Sequence, residues 1–180
     1  MTTQTGFADV NGTRLYYEVT GSGHPLVLIH GFTLDTRMWD DQFDLFGEDY
    51  QVIRYDMRGF GKSALPTGAA YTHYDDLKAL LDHLGIASVY VAGLSLGGAV
   101  AVDFTLAYPQ RVAALIPVDT SALSGYSWPE TVSAMLSGVW STTQQDGIPA
   151  GKAAWLGLEW FTPAREKPAV SKRLAQIVAD

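Results

Sequence analysis

The sequence predicts an α/β fold: a mostly parallel sheet with helices on both faces. Three observations lead there. Short β-prone runs recur along the first 119 residues, each closed by a Gly, Asp or Ser; segments with helical spacing lie between them; and runs such as Pro25 to His30 are apolar along nearly all their length, as strands covered on both faces are. Buried strands alternating with helices form βαβ units, and those build parallel sheets.

The elements follow in order. Arg14 to Thr20 is aromatic and β-branched and stops at Gly21-Ser22-Gly23, which reads as a strand and a turn. Pro25 to His30 is a buried strand closed by Gly31. Tyr50 to Tyr55 ends at Asp56, and Val89 to Gly93 ends at Leu94-Ser95. Tyr74 to Leu84 places Leu77, Leu80, Leu81 and Leu84 on one helical face and stops at Gly85, a C-cap residue. Leu96 to Tyr108 is a small, apolar helix ending before Pro109. A last strand, Val112 to Val118, ends at Asp119. Residues 120–165 then turn to Ser, Gly, Thr and Pro with four tryptophans, Trp128, Trp140, Trp155 and Trp160, and show no strand pattern. Ala169 to Ala179 is helical through Val170, Leu174, Ile177 and Val178.

The length of 180 residues suits one domain with a sizeable core, and 47% hydrophobic with 17% charged residues excludes disorder. Residues 1–110 hold 6 basic and 13 acidic groups and residues 111–180 hold 6 of each, for a net −7. No basic face is offered to nucleic acid. The absence of cysteine removes disulfides, thiolate metal sites and cysteine nucleophiles, and fits a reducing compartment. With no signal-peptide pattern at the N-terminus and no apolar run of membrane-spanning length, the expected location is the cytoplasm, away from the membrane.

Gly93-Leu94-Ser95-Leu96-Gly97 is Gly-x-Ser-x-Gly between a buried strand and a helix. A hydroxyl at the apex of such a turn needs a strained backbone at the serine and neighbours without bulky side chains, which Gly93, Gly97, Gly98 and Ala99 supply. The N–H of Leu96, at the start of the helix, can then face a developing oxyanion. A second donor is expected from the loop after His30-Gly31, where Phe32 carries the next N–H; taken alone, Gly31 is as well explained by a turn.

These residues, with Asp56-Met57-Arg58-Gly59-Phe60-Gly61-Lys62-Ser63, resemble the α/β-hydrolase superfamily from about Phe7 onward. The tract from Tyr74 to Ile86 is similar to a helix of its small esterases and enol-lactonases. The resemblance implies a serine hydrolase acting on a small-molecule carboxylic ester or lactone, with Ser95 as nucleophile, Phe32 and Leu96 as oxyanion donors and no metal or organic cofactor. It implies a structural role for the Asp56–Ser63 turn. A perhydrolase or acyltransferase would share these residues. Haloalkane dehalogenases and epoxide hydrolases of the superfamily carry aspartate where this chain has Ser95.

The family's chain order is Ser, then acid, then His, yet His24, His30, His73 and His83 all precede Ser95. His24, His73 and His83 read as surface histidines; His30 is nearest the site and reads as structural or as a substitute base. Asp119 reads either as a turn residue satisfying backbone amides or as the acid. Val112 to Val118 carries no charge to protect an edge, so a flanking strand is expected, and with it the family's acid and histidine. The expectation is a chain lacking the last strands and helices: residues 1–119 as the N-terminal part of the core, and residues 120–180 as a partial helical cap whose tryptophans pack or line a pocket. Loss of a triad histidine costs about 10⁶ in turnover, so this chain is expected to be nearly inactive. The alternative is a ligand-binding pseudo-hydrolase, or a half-fold that pairs with a second chain through the exposed sheet edge.

Overall fold

The five runs read as strands are strands in the computed structural model, which describes residues 2–120 and 127–179. They are β2 (Thr13–Thr20), β3 (His24–Ile29), β4 (Tyr50–Tyr55), β5 (Val89–Leu94) and β6 (Val112–Val118). A further strand, β1 (Gln4–Val10), precedes them. Its polar, interrupted sequence hides it, because only Ala8 of its seven residues is buried. It pairs with β2 across Asn11-Gly12, whose φ values of 46° and 68° are those of a two-residue hairpin turn. The sheet order is β1-β2-β4-β3-β5-β6. The last four strands are mutually parallel, and β2 runs antiparallel to both β1 and β4.

Helices α1 (Asp40–Phe46), α2 (His73–His83) and α3 (Leu96–Ala107) make the crossovers. Alternate residues of the central strands feed opposite faces, and both faces are covered. Val27, Ile29, Ile53, Tyr55 and Val91 pack with Leu77, Leu80 and Leu81 of α2 and with Val100, Ala101 and Phe104 of α3. Leu26, Leu28, Val52 and Ala92 pack with Phe43 of α1. Each such aliphatic or Phe side chain contributes about 1.5–3 kcal/mol on burial, which is why β3 and β5 read as largely apolar runs, while β4 carries Gln51 and Arg54 among its apolar residues. Thr72 caps α2 by accepting from the Asp75 N–H at 3.2 Å, so His73 is the first helical residue.

Among the described residues β6 is the last strand and pairs with β5 alone. Ile116 and Val118 on it are 49% and 39% exposed.

The described residues group into two compact units, the second falling within residues 125–180. It contains α4 (Glu130–Asp146), α5 (Ile148–Leu156), α6 (Thr162–Arg165) and α7 (Pro168–Ala179). The spacing that predicted a helix near 169–179 corresponds to α7. The tryptophans differ from expectation: Trp155 is buried, edge-on to Trp160 at 5.9 Å and Phe161 at 5.6 Å, while Trp128, Trp140 and Trp160 are exposed. Burial therefore accounts for Trp155, with Trp160 packed edge-on against it while keeping an exposed face. Among the described residues no helix is long and apolar enough to cross a membrane.

Candidate active site

Ser95 sits between the last residue of β5 and the first of α3, with φ 52° and ψ −113°. A non-glycine residue held there costs about 1–3 kcal/mol and persists only where its surroundings enforce it. They do so through backbone contact. A Cβ on Gly93 would lie 2.1 Å from the Gly97 carbonyl oxygen, and one on Gly97 would lie 2.3 Å from that of Ile29 and 2.6 Å from that of His30. Strand β5, helix α3 and the end of β3 thus meet main chain to main chain, which only glycine permits.

Hydrogen bonds fix both peptides at the serine. The Ser95 N–H donates to the Val118 carbonyl at 2.9 Å, continuing the β5–β6 ladder. The Ser95 carbonyl accepts from the Ala99 N–H at 3.0 Å and from Thr120 Oγ1 at 2.9 Å. Ser95 itself is exposed. Leu96 opens α3, so its N–H belongs to the first turn, which has no intrahelical acceptor.

His30 is fully buried. Its Nε2 accepts from the Met57 N–H at 3.0 Å, which obliges Nδ1 to carry the proton and to donate to the Gly31 carbonyl at 2.8 Å. Burial disfavours the imidazolium and lowers the pKa to about 4. With both nitrogens engaged inside the fold, His30 is a structural histidine and not a substitute base. The Gly31 carbonyl also accepts from the Leu34 N–H at 3.3 Å. Phe32, which follows, is half exposed, with its ring 5.8 Å from Phe60 in an edge-on contact.

The Asp56–Ser63 turn is organised around its first residue. The buried Asp56 carboxylate accepts from the Thr36 and Lys62 N–H groups, each at 2.8 Å, and burial pushes its pKa up. Gly61, at φ 52°, leaves no room for a Cβ, which would fall 2.2 Å from Asp56 Oδ2. Ser63 donates to the Asp56 carbonyl at 2.5 Å and accepts from the Tyr16 N–H at 2.9 Å. Arg58 grips Asp76 of α2 through two bonds of 2.9 and 2.6 Å, and Asn11 Nδ2 joins the same carboxylate at 2.6 Å. Turn, hairpin and helix are locked together beside His30, in keeping with a structural role.

Asp119 follows β6, exposed and at φ 44°. Since Leu94 pairs with Val118, Asp119 stands level with Ser95 at the neighbouring strand end. His24 is exposed against Tyr90 and His83 is exposed beside Tyr17, as expected; His73, expected at the surface, is instead half-buried between Phe60 and Tyr71, with its pKa lowered by burial, because Phe60, which also touches His30 and Phe32, packs over it. Sequence reading overlooked Thr120. A single threonine carries no motif, and its bond reaches back 25 residues to the serine.

The family model for the alpha/beta hydrolase fold matches residues 24–176. The chain belongs to that family. This α/β hydrolase is 30% identical over 171 residues to 3-oxoadipate enol-lactonase 2 of Acinetobacter baylyi, an alignment covering 92% of this chain and 61% of the relative. It is 41% identical over 106 residues to a soluble epoxide hydrolase of Corynebacterium, covering 58% of this chain and 36% of the relative. Among solved structures, an esterase from Exiguobacterium antarcticum superposes with a TM-score of 0.81 at 27% identity, over 98% of this chain and 68% of that one. The chain thus spans 36% and 61% of the length of these two curated relatives.

Proposed function

We propose that this α/β hydrolase cleaves a carboxylic ester or lactone through an acyl-enzyme on Ser95. The strained serine conformation, enforced by glycine-only backbone contacts at Gly93 and Gly97, is the observation that carries the reading. Ser95 Oγ attacks the carbonyl carbon while a base takes its proton. The N–H groups of Phe32 and Leu96 receive the oxyanion, each worth about 10²–10³ in rate. Collapse expels the alcohol, which regains the proton, and water then releases the acid.

His30 is engaged, and His24, His73 and His83 all precede Ser95, against the family's order of serine, acid and histidine; in this reading the base is therefore not one of these four histidines, and Asp119 is proposed as its orienting acid. Serine at the elbow favours acyl over alkyl transfer. No metal or organic cofactor enters this scheme, and its substrate is a small molecule.

A fluorophosphonate probe, which phosphonylates an activated serine, tests the reading. The expected result is slow labelling of the 180-residue chain, acceleration by added imidazole acting as the external base, and none in Ser95→Ala. A chain inert even with imidazole would favour the ligand-binding pseudo-hydrolase, and fast labelling without imidazole would show that a base lies within the chain.

A further inference from the structure

We infer that His30 and Thr120 are a matched pair of positioning residues, each gripping the carbonyl of a peptide whose N–H is an oxyanion donor. The Phe32 N–H belongs to the Gly31–Phe32 peptide, and the carbonyl of that peptide accepts from His30 Nδ1 at 2.8 Å and the Leu34 N–H at 3.3 Å. The Leu96 N–H belongs to the Ser95–Leu96 peptide, and its carbonyl accepts from Thr120 Oγ1 at 2.9 Å and the Ala99 N–H at 3.0 Å. Each carbonyl thus has one side-chain and one backbone donor. This inference rests on the ester-cleaving reading and extends it to residues outside the elbow.

Two physical effects follow from this arrangement. A trans peptide is planar, with its C=O and N–H directed oppositely, so fixing the oxygen fixes the direction of the hydrogen. A bond accepted at the oxygen also polarises the amide and strengthens what the N–H donates, because linked hydrogen bonds reinforce one another. The side-chain donors are themselves held. Met57 N–H fixes the tautomer and ring orientation of His30. Thr120 packs against Gly98, where an added Cβ would fall 2.7 Å from the threonine Cβ. The two donors are therefore aligned before any substrate arrives, which is what oxyanion stabilisation without reorganisation requires.

The test uses amide resonances and imidazole-stimulated labelling on the same chains. Thr120→Val removes the hydroxyl at nearly constant shape; the expected result is an upfield shift of the Leu96 amide nitrogen and a labelling rate lower by about three- to tenfold, less than the loss of a whole donor. Thr120→Ser should restore both. His30→Gln can still accept from Met57 but cannot reach Gly31, and should shift Phe32 and slow labelling; His30→Asn keeps a donor at the Nδ1 position and should retain the Phe32 resonance. An unmoved Leu96 resonance in Thr120→Val, or a shift with an unchanged rate, overturns the proposal even if the buried His30 variants do not fold. If the parent chain is inert with imidazole, the ester-cleaving reading fails by itself, and the resonances alone decide whether the peptides are gripped as described.

Discussion

Helices α3 and α4 each contain glycine, and the contrast between them shows where this chain stores its precision. α3 is 12 residues long and buries Gly97, Gly98, Val100, Ala101 and Phe104; α4 is 17 residues long and buries none. Gly97 has main chain on top of it, whereas a Cβ on Gly138 of α4 would meet nothing within 4 Å. A strained serine needs neighbours that cannot yield, and backbone yields least. The candidate chemistry accordingly lies at the head of the helix in closest contact with the sheet.

The sharpest way to break that contrast is Gly97→Ala. Its Cβ meets two carbonyl oxygens of the β3 end, and neither can move without displacing the strand. The expected loss is about 4 kcal/mol or more, or no folded protein at all, read by denaturant unfolding. A variant of parental stability would mean that the approach of α3 to β3 is looser than the structure shows.

Asp76→Asn is next. Arg58 and Asp76 are 3% and 1% exposed in their side chains, so neutralising one leaves a buried, uncompensated guanidinium. Breaking such a pair costs about 3–5 kcal/mol. Because the pair ties the Asp56–Ser63 turn to α2, urea unfolding should report the loss without any substitution at the elbow.

Acid comes third. His30 ionises at about 4 in the fold against an ordinary 6.5, so the unfolded chain takes up its proton first. Stability linked to this group is complete above pH 6.5, falls as pH drops from about 6.5 to about 4, and is flat below that. The span corresponds to about 3 kcal/mol. Asp56, with its pKa raised by burial above the ordinary 3.8, contributes with the opposite sign from that value upward, losing stability as pH rises and so offsetting part of the His30 slope. The slope of unfolding free energy between pH 6.5 and 4 should be reduced in His30→Gln, and an unchanged slope would assign it elsewhere.

What the sequence disclosed follows the same division. β3 and β5 are covered on both faces, so their composition is nearly all apolar, and Gly93 and Gly97 are spelled out because the turn tolerates nothing larger there. β1 was invisible because one buried residue leaves no period. α4 fell within the expected helical cap but its bounds were not legible: its inward stripe of Val132, Met135, Leu136 and Val139 is only half-buried, it is rich in Ser, Thr and Gly, and it starts after Pro129 without a side-chain cap. The His30 tautomer and the Thr120 bond could not be read from motifs either, since each depends on a main-chain group brought close only by the fold, 27 and 25 residues away.

The smallest expected effect sharpens the contrast from the other side. Gly138 lies within α4, in open space and at an ordinary helical φ, so alanine there meets no steric objection. A glycine inside a helix costs about 0.5–1 kcal/mol relative to alanine, through the freedom it retains when unfolded. Gly138→Ala should therefore stabilise α4 by up to that amount, visible as added helical circular dichroism and slower amide exchange within Glu130–Asp146. The same chemical change, one methyl group for one hydrogen, is then ruinous at Gly97 and mildly favourable at Gly138, and the sign is set by what already occupies the space where the Cβ must go. A destabilising result at Gly138 would require a close neighbour at that position and would erase the difference between the two glycines.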